Sequence, residues 1–435
     1  MRRAIDAAML LSRSILAACL TVALAAPAHA RTPEQVAQAA LRAAPVWDGH
    51  NDVPIQLRGR FGNVIDHFEF RDTSKTGGDA NEGTWQGRTM HTDLVRLRKG
   101  KVGAQFWSVY VVASLKEPQA VQATLEQIDV TRRLIAKYPG DMALALTSRD
   151  VERAMREGRI ASLMGIEGGH QIGSSLGVLR QMHALGVRYM TLTHYRNVGW
   201  ADSSNEAPKN DGLSDFGRKV VREMNRLGML VDLSHTSEAT QMDTLDEAKA
   251  PVIFSHSGAR GVVDHPRNVS DAVLARLPKN GGIVMVIGYP GHLSRERQLW
   301  GAAFDAESAR ANALQPGDPT AAKVLVDAWI RANPEPLATV AQMADHIDHI
   351  RKVAGIDHIG IGGDYDGMET GPVGMEDVSG YPLLFTELAR RGYSQADLEK
   401  IASRNMMRVM RAAERQAASL KGEAPLEAPL PALVD

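Results

Sequence analysis

The sequence predicts an α/β chain folded as a TIM-like (β/α)8 barrel, with its functional site at the C-terminal ends of the strands. Three observations carry that prediction. Eight short runs rich in Val, Ile and Met recur along the chain, stretches with helical apolar spacing lie between several of them, and a side chain able to bind metal or move protons follows six of the eight. Length agrees, because 435 residues suit one large barrel and can bury a full core. An open doubly wound sheet is the rival topology.

The runs occupy residues 46–50, 102–111, 160–166, 187–193, 229–234, 251–255, 282–287 and 358–362. Apolar residues at three and four spacing mark helices at 177–185, 216–227, 237–248 and 341–354. Three segments stand outside this repeat. Residues 56–92, rich in Gly, Arg and Asp, read as a long loop after the first strand. Residues 291–340 read as an insertion between the seventh and eighth strands, its helical stretches separated by Pro316, Pro319, Pro334 and Pro336. Excursions of this kind often wall the site of a barrel. The Pro-rich tail 417–435 has too few core formers to pack and is expected to be flexible, which leaves 31–416 as the barrel domain.

Residues 1–30 have the order of a signal peptide: Arg2 and Arg3, an apolar run at 15–26, then Ala28-His29-Ala30. The run falls short of the roughly 20 residues that span a bilayer, so no integral membrane segment is expected in the mature chain. An exported protein, periplasmic or secreted, is the expectation; lipid anchoring at Cys19 is the lesser alternative. Cleavage after Ala30 removes Cys19, the sole cysteine, and with it any thiolate ligand or thiol nucleophile. Any metal must then be held by His, Asp and Glu. With 50 Lys and Arg against 51 Asp and Glu, the chain has no general attraction for nucleic acid.

The first run leads into His50-Asn51-Asp52, the third into Glu167, the fourth into His194, the fifth into His235, the sixth into His256 and the eighth into Asp364. In a barrel all these ends share one rim. His50 and Asp52 are two apart and point to one face. Glu167 can bridge two ions, and His235 and His256 add imidazoles from adjacent strands. Three imidazoles and two carboxylates without sulfur suit a pair of zinc ions, with manganese or cobalt as substitutes, and a shared hydroxide as nucleophile. His170 is placed to support the site from behind Glu167. His346 and His349 lack an H-E-x-x-H pattern and read as surface or packing residues, as do His183, His265 and His358. No G-x-S-x-G elbow is present, so a serine hydrolase is not supported. Residues 360–367 lack the lysine and spacing of a phosphate loop; their glycines instead let the backbone turn close to the metals.

Trp47-Asp48-Gly49-His50-Asn51-Asp52, Gly165-Ile166-Glu167-Gly168-Gly169-His170, Leu192-Thr193-His194, Val252-Ile253-Phe254-Ser255-His256, Arg267-Asn268-Val269 and Gly362-Gly363-Asp364-Tyr365-Asp366-Gly367 occur in that order between residues 46 and 409. Together they resemble the motifs of the membrane (renal) dipeptidase family of zinc peptidases. The resemblance implies one zinc on His50, Asp52 and a shared Glu167, and a second on Glu167, His235 and His256. It also implies that His194 and Arg267 contact substrate and that Asp364 is the acid/base residue. Members of the family hydrolyse dipeptides, commonly tolerate a D-residue at the C-terminal position, and some open carbapenem rings. The chain departs from mammalian members at Ile55, where they carry an aromatic residue, in the loop from Tyr289-Pro290-Gly291-His292, and in lacking their linking cysteines and C-terminal anchor signal.

The residues and the resemblance lead to the same expectation: a metallo-dipeptidase with two zinc ions per subunit, acting on short peptides through a metal-bridging hydroxide. A homodimer is compatible with it. An amidohydrolase-like enzyme acting on N-acyl amino acids or lactams is the alternative. A metal-binding protein without catalysis is a third reading, against which Asp364 stands as a base that a binding site does not need.

Overall fold

The computed structural model describes residues 31–76 and 88–429. Nine parallel strands form the sheet: β1 (Val46–Asn51), β2 (Val102–Tyr110), β3 (Met142–Leu144), β4 (Ile160–Glu167), β5 (Val187–Thr191), β6 (Leu230–Asp232), β7 (Ile253–Ser257), β8 (Ile283–Ile287) and β9 (Ile359–Gly362). Eight of them close a ring. β1 pairs with β2 and β9, and β2 reaches past β3 to pair with β4 along Ala104–Tyr110, which seals the barrel. The open doubly wound alternative is thereby excluded. All eight apolar runs become barrel strands, with ends shifted by a few residues.

The short strand β3 was not expected from the sequence. It pairs with Ile160, Ala161 and Ser162, beside the stretch of β4 from Met164 onward that β5 takes up. Three residues are too few to show a period.

Helices separate the strands, and most begin on a polar cap. Ser214 and Ser237 accept hydrogen bonds from Gly217 and Thr240, and Thr339 builds a capping box with Gln342. Residues 53–61, partly assigned above to a loop, form a helix: Pro54 suits its first turn and Gly62, at φ 54°, ends it. The 291–340 segment carries two longer helices, Arg295–Leu314 and Pro319–Ala332, capped by Ser294 and Asp318. They leave the chain after β8 and therefore belong to the rim where the strands end.

Trp47, Phe106, Leu163, Tyr189, Ile253 and Met285, from six strands, pack together with Met406, Val409 and Met410 of the helix Asn405–Ser419. This cluster fills the barrel, so the interior is a packed core rather than a pore. The tail, expected to be flexible, docks over its described part. Leu426 packs on the core, its N–H donates to Glu223 at 3.1 Å, and its carbonyl accepts from Arg180. Among the described residues no helix is long and apolar enough to cross a membrane. The signal-peptide segment 1–30, with Cys19, lies outside the described residues.

Candidate metal centre

Seven strand-end side chains meet at one rim. β1 delivers His50 and, just past its end, Asp52; β4 ends in Glu167; His194 follows β5, His235 follows β6, His256 lies in β7 and Asp364 follows β9. All but Asp364 are buried. Glu167 is the hub. Its Oε1 lies 3.1 Å from His235 Nε2, 3.4 Å from His256 Nε2 and 3.6 Å from His194 Nε2, and its Oε2 lies 3.5 Å from His50 Nε2. His50 Nε2 is also 3.3 Å from Asp52 and 4.0 Å from Asp364.

The backbone is bent to achieve this. His235 and Asp364 adopt left-handed φ of 64° and 63°, and Asp366 follows at 67°. Such conformations cost on the order of 1–3 kcal/mol each and persist where surrounding contacts dictate them. Gly367 turns the chain so close to Asp52 that a Cβ would strike its carboxylate.

Electrostatics follow from burial. His256 is held well below its ordinary value by desolvation and by neighbouring His50 and Arg267; His235 is lowered likewise by desolvation, Arg267 and His194. Burial brings His194 down to about 4. These imidazoles are therefore neutral near pH 7, the state in which a ring nitrogen can donate a lone pair to a metal. His50 goes the other way. Desolvation opposes its charge, but Tyr189, Glu167 and Asp52 raise it well above 6.5. Desolvation raises the Asp364 carboxyl well above its ordinary value; His50 opposes the rise, and repulsion from Asp52 and Glu167 adds to it.

Arg267, between β7 and β8, is buried beside this cluster. One guanidinium nitrogen donates to the His256 carbonyl at 3.4 Å, while Nε and Nη1 have no partner among the described residues. Two buried, unpaired donors call for an anionic ligand.

Over residues 34–424 the chain matches the family model of the membrane dipeptidases, peptidase family M19. This chain belongs to the membrane dipeptidase family. It is 40% identical over 400 residues to dipeptidase 3 of Macaca fascicularis, covering 91% of this chain and 70% of that protein. It is 40% identical over 390 residues to dipeptidase verJ of Clonostachys rogersoniana, covering 87% and 86%. Among solved structures, the probable dipeptidase PvdM from Pseudomonas aeruginosa superposes with a TM-score of 0.72 at 25% identity, over 88% of this chain and 99% of that one. A metallo peptidase from Rhodobacter sphaeroides, liganded with a phosphinate mimic of the dipeptide L-Ala-D-Ala, shares the fold at TM-score 0.68 and 22% identity, over 85% and 99%.

The M19 dipeptidases are metallopeptidases, and the donors of this chain fit a metal. Zinc bonds of about 2.0–2.1 Å to nitrogen or oxygen place tetrahedral neighbours about 3.3 Å apart. The separations around Glu167, from 3.1 to 3.6 Å, lie at that spacing. Among the described residues, three overlapping groups have ligand atoms close enough to hold an ion: His50 with Glu167 and His256, Glu167 with His194 and His235, and His50 with Asp52 and Asp364. These groups contain all five expected ligands and cross the two sets implied by the resemblance, because the His50 and His256 rings, tilted 37° to each other, lie with centroids 3.9 Å apart.

Other histidines are occupied elsewhere in this M19 chain. His170 pairs with the Val111 carbonyl at 3.2 Å. His346 accepts from Ala259 N–H, His349 pairs with Asp271 on the surface, and His358 donates to the Gly282 carbonyl. Sequence reasoning missed Asp48, whose buried carboxylate accepts from Gly363 N–H, Tyr381 and His50 N–H and so ties β1 to the Asp364 loop. It also missed Tyr195, whose ring lies 4.1 Å from His194 at the mouth. Asp48 sits inside a quoted motif, which was the available signal; Tyr195 had none beyond following His194.

Proposed function

We propose that this chain is a binuclear zinc dipeptidase that cleaves short peptides with a free C-terminal carboxylate and accepts a D-residue there. The observation that carries the reading is the convergence of buried donors on Glu167 beside a guanidinium with two unpartnered nitrogens. His50, Asp52, Glu167, His235 and His256 would hold the ions. When bound, zinc supplies a water ionised near pH 7 and polarises the scissile carbonyl.

The chain's own residues do the rest. The Arg267 guanidinium, with Nε and Nη1 still unpartnered, holds the substrate carboxylate by charge and hydrogen bonding, so the scissile bond lies one residue away and the substrate is short. His194, kept neutral by burial, donates a hydrogen bond to the oxygen that becomes negative when water adds to the carbonyl carbon. A donor so placed is worth on the order of 3 kcal/mol. Asp364 takes the proton released by the attacking water and delivers it to the leaving nitrogen as the C–N bond breaks. Tolerance of a D-residue follows the family resemblance and leaves the side-chain wall undefined. We place the enzyme outside the cytoplasm on the evidence of residues 1–30.

A panel of Xaa-L-Ala, Xaa-D-Ala and N-acyl-alanine substrates, run on metal-stripped and zinc-restored protein, tests the reading. Zinc-dependent cleavage of dipeptides, including the D-form, is expected. Preference for N-acyl-alanine would favour the amidohydrolase alternative, and full activity without metal would end the proposal.

A further inference from the structure

Among the three imidazoles assigned to the ions, only one is wired to a carboxylate outside the cluster. His256 Nδ1 lies 2.8 Å from Ser255 Oγ, and Ser255 Oγ lies 2.6 Å from Asp232 Oδ2. Asp232 also accepts from the Thr191 hydroxyl at 2.5 Å and from the N–H groups of Ser255 and Ser234 at 2.8 and 3.1 Å. Asp232, Ser255 and His256 are all buried. By contrast, His50 Nδ1 faces the Tyr189 hydroxyl at 2.7 Å, and His235 Nδ1 has no partner among the described residues.

A hydroxyl has one proton. Bound by a carboxylate at 2.6 Å, the Ser255 proton is committed to Asp232, and the oxygen can only accept from His256. His256 must then carry its proton on Nδ1, which leaves the Nε2 lone pair facing the cluster, 2.9 Å from His235 Nε2 and 3.4 Å from Glu167 Oε1. We infer that Asp232 and Ser255 are positioning residues that fix the tautomer and the ring orientation of His256 for its ion. The inference rests on the metal-centre reading above. A partner chain of this kind makes the ligand nitrogen more basic, and its loss typically weakens metal binding 10–100-fold.

The test is a zinc titration of metal-stripped full-length protein against a competing chelator, for the wild type, Ser255→Ala and Asp232→Asn, alongside thermal melts of the metal-free forms. We expect two zinc ions on the wild type. In each variant one ion should bind about 10–100-fold more weakly and the other should keep its affinity. Wild-type affinities for both ions in folded Ser255→Ala would overturn the relay while leaving the metal centre intact; absence of zinc binding by the wild type would overturn the metal centre and the relay with it. Should the variants fail to fold, the metal-free wild type, in which no ion dictates the tautomer, decides by nitrogen NMR. A protonated, exchange-protected His256 Nδ1 supports the relay, and an unprotonated Nδ1 refutes it.

Discussion

Arg267 and Asp364 carry opposite tasks on one rim, and each makes a separable prediction. Arg267 is buried with two unpaired donors, so its energy is realised only when a carboxylate arrives. Arg267→Ala should raise KM for a dipeptide far more than for the same dipeptide amidated at its C-terminus. Equal effects in steady-state kinetics would remove the carboxylate grip. Asp364 touches the His50 edge of the cluster at 4.0 Å, and its loss should act on proton transfer. Asp364→Asn should lower kcat about 10²–10⁴-fold with bound zinc, counted by atomic emission, unchanged. Unchanged turnover would take the acid/base role from it. The sequence could point at both residues because each sits beside a distinctive motif. It could not show the pairing of Asp48 with Gly363 or of Asp232 with Ser255, since those contacts depend on which strands become neighbours.

At the scale of elements, the strand ends were legible and the connections less so. Runs such as 160–166 and 282–287 are dense enough in branched residues to read as strands, whereas Met142–Leu144 is too short and the helix Val53–Phe61 has a weakly patterned sequence. The C-terminal segment reads as flexible from its prolines and its few core formers, and the docking residue, Glu223, lies 203 positions before Leu426. Burial works against the Glu223 charge, but hydrogen bonds from Arg226, the Leu426 N–H and Arg180 prevail and hold the carboxyl below its ordinary 4.5. A depressed acid of this kind stabilises the fold above its unfolded value, and the stabilisation is lost as pH falls through the folded value. Glu223→Gln should therefore cost about 1–3 kcal/mol near pH 7 in denaturant melts. The gap to wild type should close in acid; a constant gap down to pH 3 would show that charge is not the source.

At the scale of the molecule, the closed ring turns distances along the chain into neighbours. β2 pairing with β4 brings the ends of β1, β4, β6 and β7 to one rim, and only then can Glu167 reach His50, His235 and His256 together. The sequence shows that these residues end strands; the barrel is what makes them one site. Closure also means that metal and protonation compete. Tyr189, Glu167 and Asp52 outweigh desolvation and raise His50 well above its ordinary value in the metal-free protein, so metal uptake should release protons, and affinity should fall as pH drops. Calorimetry in buffers of different ionisation enthalpy reads that release. Zinc binding with no proton release would contradict it.

The most direct measurement is anomalous diffraction at the zinc edge from crystals of the zinc-loaded enzyme. Two peaks roughly 3.5–4 Å apart, flanking the Glu167 carboxylate and touched by His50, Asp52, His235 and His256, are predicted. A single peak, or density away from Glu167, would contradict the account.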